Sequence, residues 1–434
     1  MAKTKVITAI DIGTEKVCTV IAGQSPEGAL QILGISSIAS KGIKKSQIVD
    51  LEEAIEAIIQ SLDGAERMAG FGVSSAYVSV SGTHISSQNS KGVVAVASPD
   101  GEITATDIDR VIEAARAISL PSAREIIHVI PREFQVDGQS GIKDPVGMSG
   151  IRLEAEAHII SGSATALRNL TKCLSEVGIT VSGFVFAGLA SSLAVLSETE
   201  KELGVVLLDI GAGSTSMAIY VEGALTYSAV LPIGARHVTQ DIALGTHLSL
   251  AAAEKIKLAL ADMPPESDAP SGETREQRRE RLKREDEMDL KRLGIDEGDT
   301  LSRKMVVENI MVPRMKEMFE LVGKELEKEK LFPLIPAGIV LSGGGALTVG
   351  MTDVCKRTLS LSTRVGVPTG VRGLIEDVES PIFTTAMGLI LYGAKNGGEE
   401  VRANGSGFSV ASLLPKNFSK LPEKIISLFK SLLP

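Results

Sequence analysis

The chain has 434 residues, of which 44% are hydrophobic, and it carries a formal net charge of −9 at pH 7. This length and apolar content predict two or more packed domains and exclude a chain that is disordered throughout. The negative charge disfavours nucleic acid as a partner, because nucleic-acid binders present a basic surface. Cys18, Cys173 and Cys355 are scattered, which indicates reduced thiols in a cytoplasmic protein. No apolar run reaches the length of about 20 residues that a membrane span needs, so we expect no transmembrane segment.

A strand followed by a tight glycine turn stands near the N-terminus. Its residues 6–10 lead into Asp11, and the turn contains Gly13, Thr14, Glu15 and Lys16. Glycine lacks a Cβ and can take positive φ, so consecutive backbone N–H groups can converge on an anion. An aspartate at the strand end is placed to face a divalent cation through water. The segment predicts a phosphate-binding hairpin; the alternative is an ordinary turn that uses Asp and Gly for turn chemistry alone.

The same pattern recurs 198 residues later, after a second apolar strand that ends at Asp209. The second turn contains Gly211, Ala212, Gly213 and Ser214. A repeat at this spacing is a domain-sized duplication and not a short solenoid period. Two such hairpins that face each other would clamp one nucleotide. A Rossmann unit is disfavoured, because its glycines open a helix whereas these lead into a strand.

Alternating strands and helices are predicted between the two hairpins. A helix begins at Asp50, which caps it, and another runs over residues 164–177 and is ended by Gly178 in the left-handed conformation. A helix from Thr106 and strands over 125–136 and 151–160 indicate a small α/β insertion. In the last strand apolar and charged residues alternate, starting at Ile151, as in a sheet with one wet face.

The second half contains a helical stretch over residues 237–260 and then a charged run. Fifteen of the twenty residues from 273 to 292 are charged, which favours an exposed helix supported by pairs such as Arg281 with Glu285. A long helix is predicted over 302–328 with a kink at Pro313.

A glycine run follows the apolar strand 337–341. Gly343, Gly344 and Gly345 stand at a strand-to-helix turn, where bare backbone can approach a ligand; the alternative is close packing of a helix on the sheet. Two helices rich in small residues, 188–196 and 380–392, are suited to close packing where two domains cross.

The C-terminal segment consists of a linker rich in Gly, Asn and Ser over 395–420 and an amphipathic helix over 421–434. The apolar face and its flanking lysine favour a helix that lies on a membrane surface, and the alternative is an ordinary terminal helix docked on its own domain. The residues assigned to the membrane are Ile425, Ile426, Leu428, Phe429, Lys430, Leu432 and Leu433. One short helix binds weakly, so stable attachment would need several copies.

The motifs together resemble a known family. The sequences at 11–14, 209–214 and 342–346 resemble the two phosphate motifs and the adenosine motif of the actin-like ATPase superfamily. Within that superfamily the chain is similar, over nearly its whole length, to the FtsA family of bacterial cell-division proteins. The similarity also includes the 84–160 insertion, Glu254 with Lys257, Ser302 with Arg303, and the amphipathic tail.

The resemblance implies an α/β, duplicated actin-like (ribonuclease H-like) two-lobed fold. It divides the chain as follows: 1–83 and 162–196, subdomain 1A; 84–161, inserted subdomain 1C; 197–236 and 311–378, subdomain 2A; 237–310, subdomain 2B with a charged insertion over 263–294; 379–394, a return helix to 1A; 395–420, a linker; 421–434, a membrane-targeting helix.

The resemblance also implies ATP and Mg²⁺ in the cleft. Asp11 and Asp209 would face the metal, Glu254 the ribose and Lys257 the adenine. The residues implied at the phosphates are Gly13, Thr14, Glu15, Lys16, Gly211, Ala212, Gly213 and Ser214, and those at the nucleoside are Gly343, Gly344 and Gly345.

The implied partners are those of a division protein. The C-terminal tail of the tubulin-like protein FtsZ would dock on residues 237–310, with Arg303 as a contact. The insertion would serve self-association into filaments and contacts with later divisome proteins. The tail would hold the assembly on lipids at the inner face of the cytoplasmic membrane.

Two departures from the family pattern limit these expectations. Residues 187–189 contain no acidic side chain to orient an attacking water, so hydrolysis should be slow at most. The run 273–292 does not resemble the family's small sheet. The alternatives are a pilus-assembly adaptor of the same superfamily, or a slow ATPase or phosphotransferase such as a sugar kinase, for which no substrate-side Asp is found.

Overall fold

The computed structural model describes residues 4–262, 274–371, 373, 376–397 and 399–401. Its strands are β1 (Thr4–Ile12), β2 (Lys16–Gln24), β3 (Leu30–Ala39), β4 (Ile43–Lys44), β5 (Gln47–Ile48), β6 (Ser75–Val80), β7 (Ser86–Ala95), β8 (Arg124–Val136), β9 (Gln139–Ile142), β10 (Arg152–Ser163), β11 (Thr180–Phe186), β12 (Val205–Ile210), β13 (Thr215–Val221), β14 (Ala224–Leu231), β15 (Glu287–Asp289), β16 (Thr300–Ser302), β17 (Ile339–Ser342), β18 (Thr363–Val365) and β19 (Glu399–Val401).

Helices cover much of the remaining described chain. The α-helices are α1 (Leu51–Ala69), α2 (Ala105–Arg116), α3 (Ala164–Glu176), α4 (Ala187–Val195), α5 (Glu198–Leu203), α6 (Ala235–Thr246), α7 (Leu250–Asp262), α8 (Arg275–Asp286), α9 (Val312–Lys328), α10 (Met351–Leu359) and α11 (Thr384–Asn396). Short 3-10 turns cover Lys291–Leu293, Phe332–Leu334, Gly344–Leu347, Glu376–Glu379 and Pro381–Phe383, and a π-helix covers Met305–Met311.

Two sheets with the same topology define two lobes. The first sheet has the order β11-β6-β1-β2-β3, and the second has the order β18-β17-β12-β13-β14. In each, three antiparallel strands (β1–β3 or β12–β14) are extended by two parallel strands (β6 and β11, or β17 and β18). This confirms the duplicated two-lobed α/β fold predicted from the repeated hairpin.

Helices α4 and α11 cross in close contact at the base of the two lobes. A Cβ added to Gly388 would lie 1.8 Å from the carbonyl oxygen of Ala190, so only glycine fits at this crossing. The prediction of small-residue helices at a crossing is confirmed. The second helix begins at Thr384, later than predicted, because Pro381 lies in a 3-10 turn.

The insertion forms a four-stranded sheet, β7-β10-β8-β9, with α2 packed on one face. Leu153, Ala155 and Ala157 are buried on β10, as the alternation predicts. Ile151 was wrongly included in that pattern: it precedes the strand and is 79% exposed. Its N–H donates to the Asp137 carboxylate instead of to a neighbouring strand.

The predicted helical stretch over 237–260 is two helices, α6 and α7. His247 takes φ of +57° and ends α6, so the chain turns before α7 begins. The loop part of the charged insertion, 263–273, lies outside the described residues. Beyond it α8 begins at its N-cap Thr274 and buries none of its side chains, and Arg281 pairs with Glu285 at 3.1 Å.

The end of the charged run differs from the sequence interpretation. Strand β15 pairs antiparallel with β16, so this part does form a small two-stranded sheet. The side chain of Met288, which is 2% exposed, anchors the sheet in the core of the second lobe. Met288 and the buried Leu290 alternate with charged residues over only three positions, which is too short a pattern to predict a strand.

The long helix predicted over 302–328 contains a π-helical segment. Met305–Met311 forms the π-helix, and Pro313 stands in the first turn of α9. Proline lacks an N–H, and its ring clashes with the preceding turn of an α-helix. In this chain the preceding turn is the π-helix, which is wider than an α-helix. Where the sequence predicts a kink at Pro313, the structure has a change from π-helix to α-helix.

The last described strand, β19, pairs antiparallel with the start of β1. The predicted membrane helix over 421–434, with Ile425, Ile426, Leu428, Phe429, Lys430, Leu432 and Leu433, lies outside the described residues, as does most of the linker. Among the residues that are described, no helix combines the length and the apolar character needed to cross a bilayer.

Candidate functional site

The two predicted hairpins have matching geometry. The N–H of Gly13 donates to the carbonyl of Lys16 at 2.9 Å, and the N–H of Gly211 donates to the carbonyl of Ser214 at 3.0 Å. A Cβ at Gly13 or Gly211 would lie 3.0 or 3.1 Å from the same carbonyl oxygens. The duplication therefore extends to single hydrogen bonds within the turns.

The tips of the hairpins meet across the cleft between the lobes. A Cβ on Gly213 would lie 3.0 Å from Thr14 Oγ1, so space for a side chain there is tight. None of Gly13, Gly211 and Gly213 takes φ in the left-handed region, so the argument from positive φ was wrong. Ser81 and Ser216 form a second contact across the lobes, with their hydroxyl oxygens 2.9 Å apart.

Asp11 stands at the end of β1, inside the cleft. Ser79 Oγ donates to its Oδ1 at 2.7 Å and accepts from the N–H of Ile12 at 3.0 Å. Burial raises the pKa of Asp11, and the nearby Lys16 ammonium and the Ser79 hydrogen bond oppose that rise. Ser79 thus fixes the carboxylate, although the sequence offered no signal for it.

Asp209 occupies the equivalent position at the end of β12 and is 8% exposed. Its Oδ2 lies 3.0 Å from Ser191 Oγ on α4 and 2.9 Å from Thr385 Oγ1 on α11. Burial, and then the negative charge of Asp11, raise the pKa of Asp209 to about 6. Two carboxylates that repel each other in a buried cleft form a site that a cation would stabilise.

The glycine run lies against Asp209. Gly343 has φ of +77°, and a Cβ on it would lie 2.4 Å from Asp209 Oδ1. A Cβ on Gly345 would lie 2.3 Å from Ile210 Cγ2, whereas a Cβ on Gly344 would make only an ordinary contact with Ile382 Cγ1 at 3.9 Å. Ser342 Oγ is buried and has no hydrogen-bond partner within the described part of the chain. The run therefore brings backbone and one orphaned hydroxyl close to the carboxylate pair.

Helix α6 connects the second hairpin to Glu254 and Lys257. At its start the N–H of Ala235 donates to the carbonyl of Gly211 at 2.9 Å. One turn later Thr239 Oγ1 lies 2.6 Å from Glu254 Oε2, and Lys257 Nζ lies 2.8 Å from the same carboxylate oxygen. Lys257 is 8% exposed, so this ion pair is held rigidly in the second lobe.

The remaining predicted residues lie at the edge of the site or away from it. Lys16 Nζ donates to the carbonyl of Ile382 at 2.5 Å and lies 4.3 Å from the centre of the Phe383 ring. Glu15 is exposed and lies 3.9 Å from Arg236 across the cleft. Arg303 is half-buried between β16 and the π-helix, in the subdomain that also contains α7.

The metal-ligating capacity of the cleft is limited to the two aspartates. Over residues 4–262 and the other described ranges, no group of three or more His, Cys, Asp or Glu side chains could hold a metal ion. Mg²⁺ commonly takes one or two carboxylates and fills its remaining positions with water and phosphate oxygens. The donor set therefore fits a cation that arrives with an anionic ligand.

Models of two protein families match the chain. The model described as the SHS2 domain inserted in FtsA matches residues 82–161, and the model of the cell division protein FtsA matches residues 206–388.

Curated relatives cover nearly the whole chain. The chain is 37% identical to the cell division protein FtsA of Pseudomonas aeruginosa over 416 residues, 95% of each protein. It is 39% identical to that of Borreliella burgdorferi over 89% of this chain and 90% of the relative. It is 34% identical to that of Escherichia coli K12 over 92% of this chain and 93% of the relative.

Solved structures show the same fold at low identity. The PilM–PilN type IV pilus biogenesis complex is similar with a TM-score of 0.61 and 17% identity, over 89% of this chain and 98% of the matched chain. MreB5 of Spiroplasma citri bound to AMPPNP is similar with a TM-score of 0.51 and 13% identity, over 90% of this chain and 97% of the matched chain. These likenesses identify an actin-like fold.

Proposed function

We propose a function from one premise, which the relatives establish: the chain belongs to the FtsA family of cell division proteins. The protein binds Mg²⁺ and ATP in the cleft between its lobes, self-associates, and tethers FtsZ to the cytoplasmic membrane, where later divisome proteins join. The observation that carries the nucleotide part is a pair of carboxylates, the half-buried Asp11 and the buried Asp209, at equivalent positions of two matching hairpins.

The residues of the cleft fit a metal–nucleotide complex. Asp11 and Asp209 would face Mg²⁺, whose charge offsets the mutual repulsion that raises the pKa of Asp209. Bound Mg²⁺ would supply charge neutralisation for the phosphates. The turns containing Thr14 and Ser214 would hold the phosphates with backbone N–H groups and hydroxyls.

The nucleoside would be held by the second lobe. Glu254 would accept from the ribose hydroxyls, and Lys257 would contact the adenine. Glycine at 343 and 345 lets the run pack closely against Asp209 and Ile210, where a side chain would clash, and the backbone of the run would contact the nucleoside. That MreB5 of similar fold was solved with AMPPNP and with ADP supports a nucleotide at this place.

Hydrolysis is proposed to be slow at most. Ala187, Gly188 and Leu189 are all buried at the start of α4, and this stretch supplies no carboxylate to orient a water. The nucleotide therefore acts as a ligand that sets the conformation of the lobes. An enzyme of the sugar-kinase type would need a substrate-side base that the sequence does not offer.

The division role is favoured over the pilus-assembly role. The pilus complex shares the fold at 17% identity, whereas the division relatives reach 34–39% identity over at least 89% of the chain. The proposed amphipathic tail, 421–434, also favours the division role, because that role requires the chain to stay attached to a membrane.

Nucleotide titration of the full chain tests the first part of the proposal. We expect a fluorescent ATP analogue to bind in the presence of Mg²⁺ and to be displaced by ATP. EDTA should weaken binding by about tenfold or more, because the carboxylates would then face the phosphates without a cation. The Asp209→Ala variant should not bind, whereas Asp353→Asn, at an exposed aspartate of α10, should bind normally. Equal affinity of Asp209→Ala and the wild type would refute the assignment of the cleft.

Recruitment of a peptide to vesicles tests the tether. A labelled peptide with the C-terminal sequence of FtsZ should co-sediment with anionic vesicles only when the chain is present. Deletion of 421–434 should abolish recruitment by releasing the chain from the vesicles, and Arg303→Glu should abolish it by repelling an acidic peptide.

The control for charge is Arg292→Glu, at an exposed arginine of the same subdomain, which should leave recruitment unchanged. If the truncated chain still sediments with the vesicles, the tail is not the anchor. If Arg303→Glu and Arg292→Glu behave alike, Arg303 is not a peptide contact.

A further inference from the structure

A small hairpin with an unusual turn lies beside the two phosphate hairpins. Strands β4 and β5 are joined by two residues, Lys45 and Ser46, with φ of +47° and +59°. A two-residue turn with both residues in the left-handed region strongly prefers Asn-Gly or a similar pair. Lys-Ser is a poor choice for the turn itself, and strained backbone of this kind concentrates where ligands are held.

The base of this hairpin is anchored firmly to the first lobe. The carbonyl of Gly42 accepts from the N–H groups of Val49 and Asp50 at 2.8 and 3.0 Å. Asp50 in turn caps α1, since its carboxylate accepts from the N–H of Glu53. The hairpin therefore projects its tip from a rigid support.

The tip contacts both phosphate hairpins. The N–H of Ser46 donates to Thr14 Oγ1 at 2.9 Å, and Ser46 Oγ lies 3.2 Å from Ser214 Oγ. A Cβ on Gly213 would lie 3.1 Å from the Cα of Lys45. One short turn in the first lobe thus reaches the phosphate-binding turns of both lobes.

A phosphate bound at the hairpin tips would be stabilised by a positive side chain. Asp11 and Asp209 are acidic, and Thr14, Ser46 and Ser214 supply only neutral hydroxyls. Lys16 of the first hairpin is directed to the carbonyl of Ile382 and the ring of Phe383. Lys45 is exposed on the turn that touches Gly213, so a side chain of its length can reach a phosphate held beside the hairpin tips.

We propose that the turn Lys45–Ser46 is a third phosphate-binding element that contacts the terminal phosphate of a nucleoside triphosphate and distinguishes it from a diphosphate. The inference rests on the proposed nucleotide function. The nucleoside is assigned to the second lobe, at Glu254 and Lys257, so the end of the polyphosphate lies at the tips of the hairpins. The Lys45 ammonium pairs with the terminal phosphate, and the Ser46 hydroxyl donates to it.

A double variant that improves the turn separates binding from folding. Lys45→Asn with Ser46→Gly introduces the favoured pair for this geometry, so the hairpin should form at least as well as in the wild type. Both the ammonium and the hydroxyl are lost. By calorimetry with Mg²⁺, we expect the Kd for ATP to rise about tenfold or more and the Kd for ADP to change less than about twofold.

Two further variants serve as controls. Lys45→Arg keeps the charge and should retain the preference for ATP. Lys172→Ala removes an exposed lysine of α3 and should leave both affinities unchanged.

The inference is overturned if the ratio of ATP affinity to ADP affinity is the same in the double variant as in the wild type. This holds whether both affinities stay unchanged or both fall by the same factor. If the wild type binds neither nucleotide, the proposed function itself fails and the inference fails with it. If the wild type binds both nucleotides and the double variant binds them with the same affinities, the proposed function stands and this inference alone is wrong.

Discussion

Asp209→Asn should make the nucleotide-free protein more stable at pH 8 while it abolishes Mg²⁺-dependent ATP binding. The native carboxylate is buried against Asp11, and its pKa of about 6 exceeds the ordinary 3.8. A difference of this size corresponds to about 3 kcal/mol of penalty for the ionised native state. Asparagine keeps an oxygen to accept from Ser191 and Thr385 but carries no charge, so we expect a gain of about 1–3 kcal/mol.

The stability that Asp209→Asn gains over the wild type should depend on pH. Between pH 3.8 and about 6 the native state binds more protons at Asp209 than the unfolded state, so the stability due to this group rises as the pH falls through that window. Above about pH 6 the full penalty applies, and below 3.8 it vanishes. The difference in Tm between Asp209→Asn and the wild type should therefore be largest at pH 8 and shrink towards zero near pH 4.

Thermal unfolding at a series of pH values checks this expectation. For a domain of 150–250 residues, 1 kcal/mol shifts Tm by about 2–4 °C, so the difference is measurable. Asp353→Asn, at an exposed aspartate, should show no difference from the wild type at any pH. A less stable Asp209→Asn at pH 8 would show that the carboxylate is needed for folding, contrary to its proposed role as a metal-facing group.

The opposed effects on stability and binding explain why the cleft retains both carboxylates. A buried pair of like charges lowers the stability of the empty protein, and a metal–nucleotide complex would remove that cost. If that complex bound one arrangement of the lobes more tightly than another, it would stabilise that arrangement. In this way the site can set conformation without fast hydrolysis.

The sequence predicted those parts of the site that are encoded locally. Both hairpins, the glycine run and the small-residue helices were found because strand, turn and helix signals lie within a few residues of each other. The groups that hold the two aspartates were missed, because Ser79 and Thr385 are 68 and 176 residues from their partners. Contacts of this kind are set by the tertiary fold and leave no local pattern.

The turn at Ser46 shows the same limit. Its contacts with Thr14 and Ser214 span 32 and 168 residues. The sequence predicts positive φ at these glycines, whereas at Gly213 the constraint is space, since a Cβ there would lie 3.0 Å from Thr14 Oγ1. A glycine in sequence does not reveal whether conformation or close approach demands it.

The crossing of α4 and α11 should tolerate no residue larger than glycine at position 388. In Gly388→Ala the new methyl would lie 1.8 Å from the carbonyl oxygen of Ala190, and neither backbone can rotate away as a side chain can. Alanine favours a helix over glycine by about 1 kcal/mol, but overpacking of this severity costs about 3 kcal/mol or more, so the steric effect wins.

The same substitution should weaken ATP binding, because Thr385 stands in the same turn of α11 and its hydroxyl holds Asp209 Oδ2. Denaturant unfolding and nucleotide titration measure the two effects on one preparation. The matched control is Gly323→Ala in α9, where the methyl would meet only the mobile end of Leu359 at 3.1 Å, so stability should stay the same or rise slightly. If both glycine variants are equally stable, α4 and α11 are free to separate, and the crossing does not position Asp209 for the nucleotide.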